Sequence, residues 1–242
     1  MGKLLDRVLG ISVFLFIIFC LLSKPVQSRV LKGLEVIFDM NSGDLENNLL
    51  PKEDTSQTTK YVNSKVYSKE TISYFNKIVL NDEYGKSYEK PFKRTEDVKI
   101  YVQGDKKDYL MDELDRIVSE LNDIIQTIEI EVVDNKSDAN TFIFFGDYNK
   151  FDKLYPQINE KNLVHNWGYF EIYKTYSLIY VDVYRADEVD AQKHLLREEL
   201  TQSLGLINDS YTYPESIFYQ GWTTTTEYAP IDREVIDMLY NN

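Results

Sequence analysis

A single cysteine, Cys20, and two histidines, His165 and His194, are all that 242 residues contain of those types. One thiol excludes an intramolecular disulfide framework and any cysteine-rich zinc module. Two imidazoles exclude a zinc site built from three histidines of one chain. Basic residues are also few, 27 Lys and Arg against 40 Asp and Glu, which gives a formal net charge of −13. A nucleic-acid surface needs clustered cations to displace counterions from phosphates, so that class of partner is excluded. No GxGxxG, P-loop or GxSxG pattern occurs, and nucleotide-binding and serine-hydrolase readings have no motif behind them. What is present is an ordinary globular balance, 43% hydrophobic and 28% charged, at a length that suits one domain with a decorated N-terminal region.

That region reads first as an address. Lys3 and Arg7 precede an apolar run from Val8 to Leu22, shorter than the roughly 20 residues that span a bilayer as a helix. It has the form of a secretory signal, with a basic start, an apolar middle and Val26-Gln27-Ser28 as a cleavage site. Two outcomes follow: a cleaved signal over residues 1–28, with a secreted or periplasmic cell-envelope product, or an uncleaved anchor using residues 8–22. Membrane contact is expected only through this segment. Cys20 reads as an apolar residue within the run, because Phe19 occupies the place where a lipid-modified cysteine needs a small neighbour. Removal of residues 1–28 takes away Lys3, Arg7, Lys24 and Asp6, moving the formal charge from −13 to −15 and leaving no cysteine. Residues 29–66 are polar, with little periodicity, and read as a flexible lead-in to a domain over 67–242.

Ile72, Phe75, Ile78 and Val79 recur at helical spacing, predicting a helix over 69–80 that Gly85 would cap. Val98 to Val102 alternates as a strand. Leu110, Leu114, Ile117, Val118, Leu121, Ile124, Ile125 and Ile128 predict a long core-facing helix with Asp108, Asp112, Glu113, Asp115 and Glu120 on a solvated face. Residues 128–133 and 141–146 read as strands, 147–166 as a loop with a short helical piece, and 169–184 as a hairpin. The order predicts an α/β (α+β) domain with helices on one side of a mixed sheet.

Asp187 to Leu206 predicts a further helix. Leu196, Leu200 and Leu204 form one apolar group and Leu195 and Leu206 another; Glu199 falls between them, while His194, Glu198 and Gln202 make a separate polar row. A carboxylate inside an apolar arc is costly unless paired, metal-bound or protonated, so Glu199 is either a buried structural glutamate or the centre of a site. After this helix, Tyr213, Tyr219, Trp222 and Tyr228 belong to an aromatic, hydroxyl-rich stretch that packs beneath the helix or lines a cleft.

The string from Glu198 to Leu206 resembles the HExxHxxGL helix of zincin metallopeptidases, written here EExxQxxGL. Residues 70–240 more closely resemble an uncharacterised zincin-like family, domain of unknown function 2927. The resemblance rests on Glu83-Tyr84-Gly85, the VKIYVQG strand, the run from Glu198 through Asn208, Asp209 and Ser210, and Ser216-Ile217-Phe218. It implies a zincin-like fold: a mixed sheet, a long backing helix, an active-site helix and a C-terminal helix near 231–240. It also implies that Glu199 stands at the general-base position and that Glu198, Gln202 and Asn208, with Asp209 beside it, stand where metal ligands would be. Zinc favours imidazole and thiolate, and a neutral amide is a poor ligand, so no metal cofactor is expected; zinc or calcium is the alternative. The expected function is an exported, degenerate metallopeptidase relative that is non-catalytic and binds a peptide, glycan or envelope partner. The competing reading is an atypical metal-dependent peptidase or hydrolase using Glu199 as general base. His194, Tyr213, Tyr219, Trp222 and Tyr228 are the candidate cleft residues.

Overall fold

The Ser68 hydroxyl accepts from the Thr71 N–H at 3.0 Å and caps helix α1, Lys69–Val79, which buries Tyr74, Phe75, Ile78 and Val79. The computed structural model describes residues 66–82, 85–158 and 166–241, all within one compact unit, Lys52–Asn242. The address segment, Cys20, most of the lead-in, Glu83, Tyr84 and His165 lie outside the described residues. After α1 come β1, Val98–Gly104; α2, Asp108–Ile124; β2, Ile130–Val132; a short turn of 3-10 helix at Lys136–Asp138; and β3, Thr141–Gly146. Then follow α3, Tyr148–Leu154; β4, Gly168–Ile172; β5, Ser177–Asp182; α4, Val189–Gln202; and α5, Pro230–Tyr240.

The strands form one sheet in the order β2-β1-β3-β5-β4. β1, β2, β3 and β5 are parallel, while β4 returns antiparallel to β5 and leaves an edge. The fold is therefore α/β with a mixed sheet, a long backing helix (α2), the motif helix (α4) and a C-terminal helix (α5). Alternation along the strands divides the core. Val98, Ile100, Val102, Ile143, Phe145, Ile179 and Val181 pack in one cluster with apolar residues of α1, α2, α4 and α5.

The other face carries Phe144, Leu178 and Tyr180, covered by Phe151 and Tyr155 from α3 and its C-terminal end. The Phe151 and Tyr180 rings stack at 4.7 Å. The helices thus do not all lie on one side of the sheet: α3 takes the opposite face because Phe144 and Tyr180 leave that face apolar. A shallow pocket of ≈ 160 Å³, lined by Phe142, Tyr155, Tyr176 and Leu178 among others, lies on this far side.

Two boundaries and one burial differ from expectation. α1 ends on Leu80, whose N–H reaches Asn76 O at 3.0 Å; Gly85, at φ 81°, lies beyond the helix and does not cap it. α2 stops at Ile124, although Ile125 and Ile128 remain in the core, so helical spacing outlasts the helix. Glu113 is 3% exposed instead of solvated, because Arg197 of α4 meets it from inside. Among the described residues, no helix is long and apolar enough to cross a membrane.

Candidate functional site

Helix α4 is enclosed along almost its whole circumference. It packs on β5, β4 and α2, and Leu195, Leu196 and Leu200 join the main core. Its polar residues are buried too: His194, Arg197, Glu198, Thr201 and Gln202 are all at 1% exposure or less. The polar row of His194, Glu198 and Gln202 therefore runs through the interior.

Glu199 is 7% exposed and lies against the first residue of the edge strand. A Cβ on Gly168 would stand 2.3 Å from Glu199 Oε1 and 2.9 Å from its Cδ and Cγ. The carboxylate occupies the space that any other residue at 168 would need, and it reaches the sheet because that position is glycine.

Each residue in the motif's ligand positions is engaged within the protein. Glu198 Oε2 lies 3.4 Å from His194 Nε2, one turn earlier. His194 Nδ1 faces Thr225 O at 2.8 Å, so that nitrogen carries the hydrogen. Gln202 Nε2 donates to Asp209 Oδ1 at 2.8 Å. Asn208 turns away: its Nδ2 donates to Lys77 O at 2.9 Å and its N–H to Ile78 O at 3.1 Å, satisfying carbonyls at the end of α1. Gln202 and Asp209 are thus brought together, His194 and Glu198 are brought together, and Asn208 belongs to neither pair. Among the described residues, no three His, Cys, Asp or Glu side chains are grouped so as to hold a metal ion. With Gln202 already donating to Asp209 and Asn208 turned to the end of α1, two of the motif's ligand positions hold neutral amides, which do not fit tetrahedral zinc.

Gly205 ends the motif with φ 121°, and a Cβ there would stand 2.2 Å from Phe92 O, so both the turn and the close approach require glycine.

The aromatic stretch divides between core and surface. Tyr228 is 5% exposed, its hydroxyl 2.7 Å from Thr201 Oγ1, and Arg197 lies 4.5 Å over its ring. It is a core residue and not part of a cleft wall; burial pushes its phenol above the ordinary tyrosine range. Tyr213 meets Tyr74 edge-on at 4.8 Å, Tyr219 meets Tyr211 at 6.0 Å, and Trp222 meets Trp167 at 5.9 Å; all three candidates are half-buried. Trp167 directly precedes Gly168, so the chain's two tryptophans stand beside the Glu199 contact.

Sequence reasoning missed the groups that hold α4 in place. Arg197 donates to Glu113 Oε1 at 2.8 Å and to Glu120 Oε2 at 2.6 Å, fixing the motif helix to α2. An arginine on the flank of the leucine arc, directly before Glu198, was the available signal. Ser216, the first residue of the Ser-Ile-Phe string, donates to Asp232 Oδ1 and contacts Tyr74 OH at 2.9 Å. Asp232 also accepts from the Ile217 and Ala229 N–H groups at 3.1 and 2.9 Å, joining this loop to the first turn of α5.

A mixed α/β domain with a buried acidic and amide row on its fourth helix is the class that fold and site define. Within it, the chain belongs to the family described as "Protein of unknown function (DUF2927)", whose model matches residues 68–242. No curated protein matches the chain. Two solved structures of myroilysin are similar in fold. One, a crystal structure, shares 8% identity at a TM-score of 0.43, covering 64% of this chain and 87% of the other. The second shares 9% identity at a TM-score of 0.40, covering 63% and 96%.

Proposed function

We propose that this chain is an exported, zincin-like domain whose metallopeptidase site has degenerated into a non-catalytic binding site for a partner of the cell envelope, best fitted by an extended peptide. The internal engagement of the ligand positions carries this reading: Gln202 is committed to Asp209 and Asn208 to the end of α1. Recruiting those side chains to a metal would break both hydrogen bonds, each worth about 0.5–1.5 kcal/mol. β4 supports an extended partner, since it is an edge strand whose residues after Gly168 are half-buried. The signal-like N-terminus is the basis for export.

One observation favours the second reading, a hydrolase with Glu199 as general base. Glu199 keeps a small exposed edge beside β4, where a bound chain would lie. Metal analysis of protein purified without chelator, together with peptide hydrolysis by wild type and Glu199→Gln, separates the two. The binding reading expects substoichiometric zinc and no hydrolysis in either protein. Stoichiometric zinc with hydrolysis abolished by Glu199→Gln overturns it.

A further inference from the structure

Between Gln220 and Tyr228 runs Gly221-Trp222-Thr223-Thr224-Thr225-Thr226-Glu227. Both ends are fixed. The Gln220 N–H donates to Ser210 O at 3.1 Å, and the Tyr228 ring is buried under Arg197. The middle is held differently. Among the described residues, 223–227 make no backbone-to-backbone hydrogen bond, and the Thr225 N–H takes only the Thr223 hydroxyl, at 3.2 Å. Two successive carbonyls are instead held by side chains from two helices: His194 of α4 donates to Thr225 O at 2.8 Å, and Arg116 of α2 donates to Thr226 O at 2.7 Å. A segment with no ladder bonds and little apolar burial opens at lower free energy than the core around it. Its one large apolar residue is Trp222, set against Trp167 at the start of β4, where Glu199 lies.

We propose that residues 221–227 are a strap, latched by His194 and Arg116, whose release uncovers Glu199 and the start of edge strand β4. The two latches differ in strength. The His194 ring is fully buried, with Glu198 Oε2 3.4 Å from its other nitrogen. The Arg116 side chain is 40% exposed and is shared with Glu113 at 2.8 Å and Glu227 at 3.9 Å. Arg116 therefore releases first, and His194 sets how often the strap opens fully. The strap rests on the placement of Glu199 but not on the function proposed for it, because opening is read from the protein alone.

Amide hydrogen exchange on the intact chain tests this, comparing wild type, Arg116→Gln and His194→Gln. In Arg116→Gln the Thr225 amide, which has the Thr223 hydroxyl as its partner, exchanges about tenfold faster, while the amides of β3, β5 and α4 keep their rates. Tryptophan emission shifts to the red as Trp222 leaves Trp167, and His194→Gln gives the larger change of the two. Strap amides in wild type as protected as those of β3, or acceleration spread evenly over α4 and the sheet, overturn the proposal. If His194→Gln does not fold, Arg116→Gln decides the matter, since that side chain is partly in solvent.

Discussion

Gly168 and Glu199 are a pair that neither residue's neighbours announce. Alanine in place of glycine in a strand ordinarily stabilises, by reducing the freedom of the unfolded chain. Here the added Cβ meets Oε1 at 2.3 Å and the Cγ and Cδ of Glu199 at 2.9 Å, so the whole carboxyl arm must move within a packed site. Gly168→Ala is therefore expected to destabilise by about 1–3 kcal/mol, the usual cost of overpacking. In a Glu199→Ala background the same substitution becomes neutral or mildly stabilising, because the colliding atoms are gone. A double-mutant cycle by urea denaturation measures the coupling; equal effects in both backgrounds would show that the contact imposes nothing. At this scale the sequence was half legible. Glu199 was marked as a costly carboxylate between leucine groups, and it is indeed nearly buried. Its counterpart was not legible, since a glycine at the start of a β-rich run carries no sign of what approaches it from 31 positions further along the chain.

Helices and strands were read well where a face repeats, and poorly where charge is enclosed. The 3-and-4 spacing located α1, α2 and α4, and period-two alternation located β1 and the β4–β5 hairpin. The same rules assigned Glu113 and Glu120 to solvent, because periodicity counts only which side a residue is on and not whether another helix brings a cation there. Arg197 does bring one, and the ion pairs with Glu113 and Glu120 fasten α4 to α2. Arg233 of α5 stands 3.7 Å from the same Glu120 carboxylate, so three helices share the network. Arg197→Met keeps the apolar stem and removes the charge, leaving Glu113 at 3% exposure with Arg116 alone. The expected cost is about 3 kcal/mol, the lower end for breaking a buried pair, because Arg116 remains. Arg197→Met combined with Glu113→Met should recover most of that loss in urea midpoint, since no buried charge is then left behind. A double variant no more stable than the single one would mean that Arg197 acts through packing and not through charge.

At the scale of the whole molecule, Asp232 is a buried carboxylate whose ionisation opposes folding. Asp232 has no exposed surface, and burial raises its pKa from 3.8 to about 6, even though Ser216 and the N–H groups of Ile217 and Ala229 favour the charged form. Through Ser216 it is linked to Tyr74 of α1, so its charge state is felt between α1, the loop before the strap and α5. Between pH 3.8 and about 6 the folded chain binds a proton there that the unfolded chain has already lost. The unfolded state then holds fewer protons, and the stability supplied by this group falls as pH rises. It is fully present below 3.8, declines through the interval and is gone above about 6. A displacement of that size corresponds to about 3 kcal/mol. The other acidic residues of a chain at −13 titrate in the same range, so the useful quantity is the difference between wild type and Asp232→Asn at each pH. On acidification from pH 7 to pH 4, wild type should gain about 2 kcal/mol on the asparagine variant, which has no proton to take up at that position. A constant difference across that range in urea denaturation would mean that Asp232 keeps an ordinary acidity in the folded protein. A difference moving the other way would mean that its three donors outweigh the cost of burial.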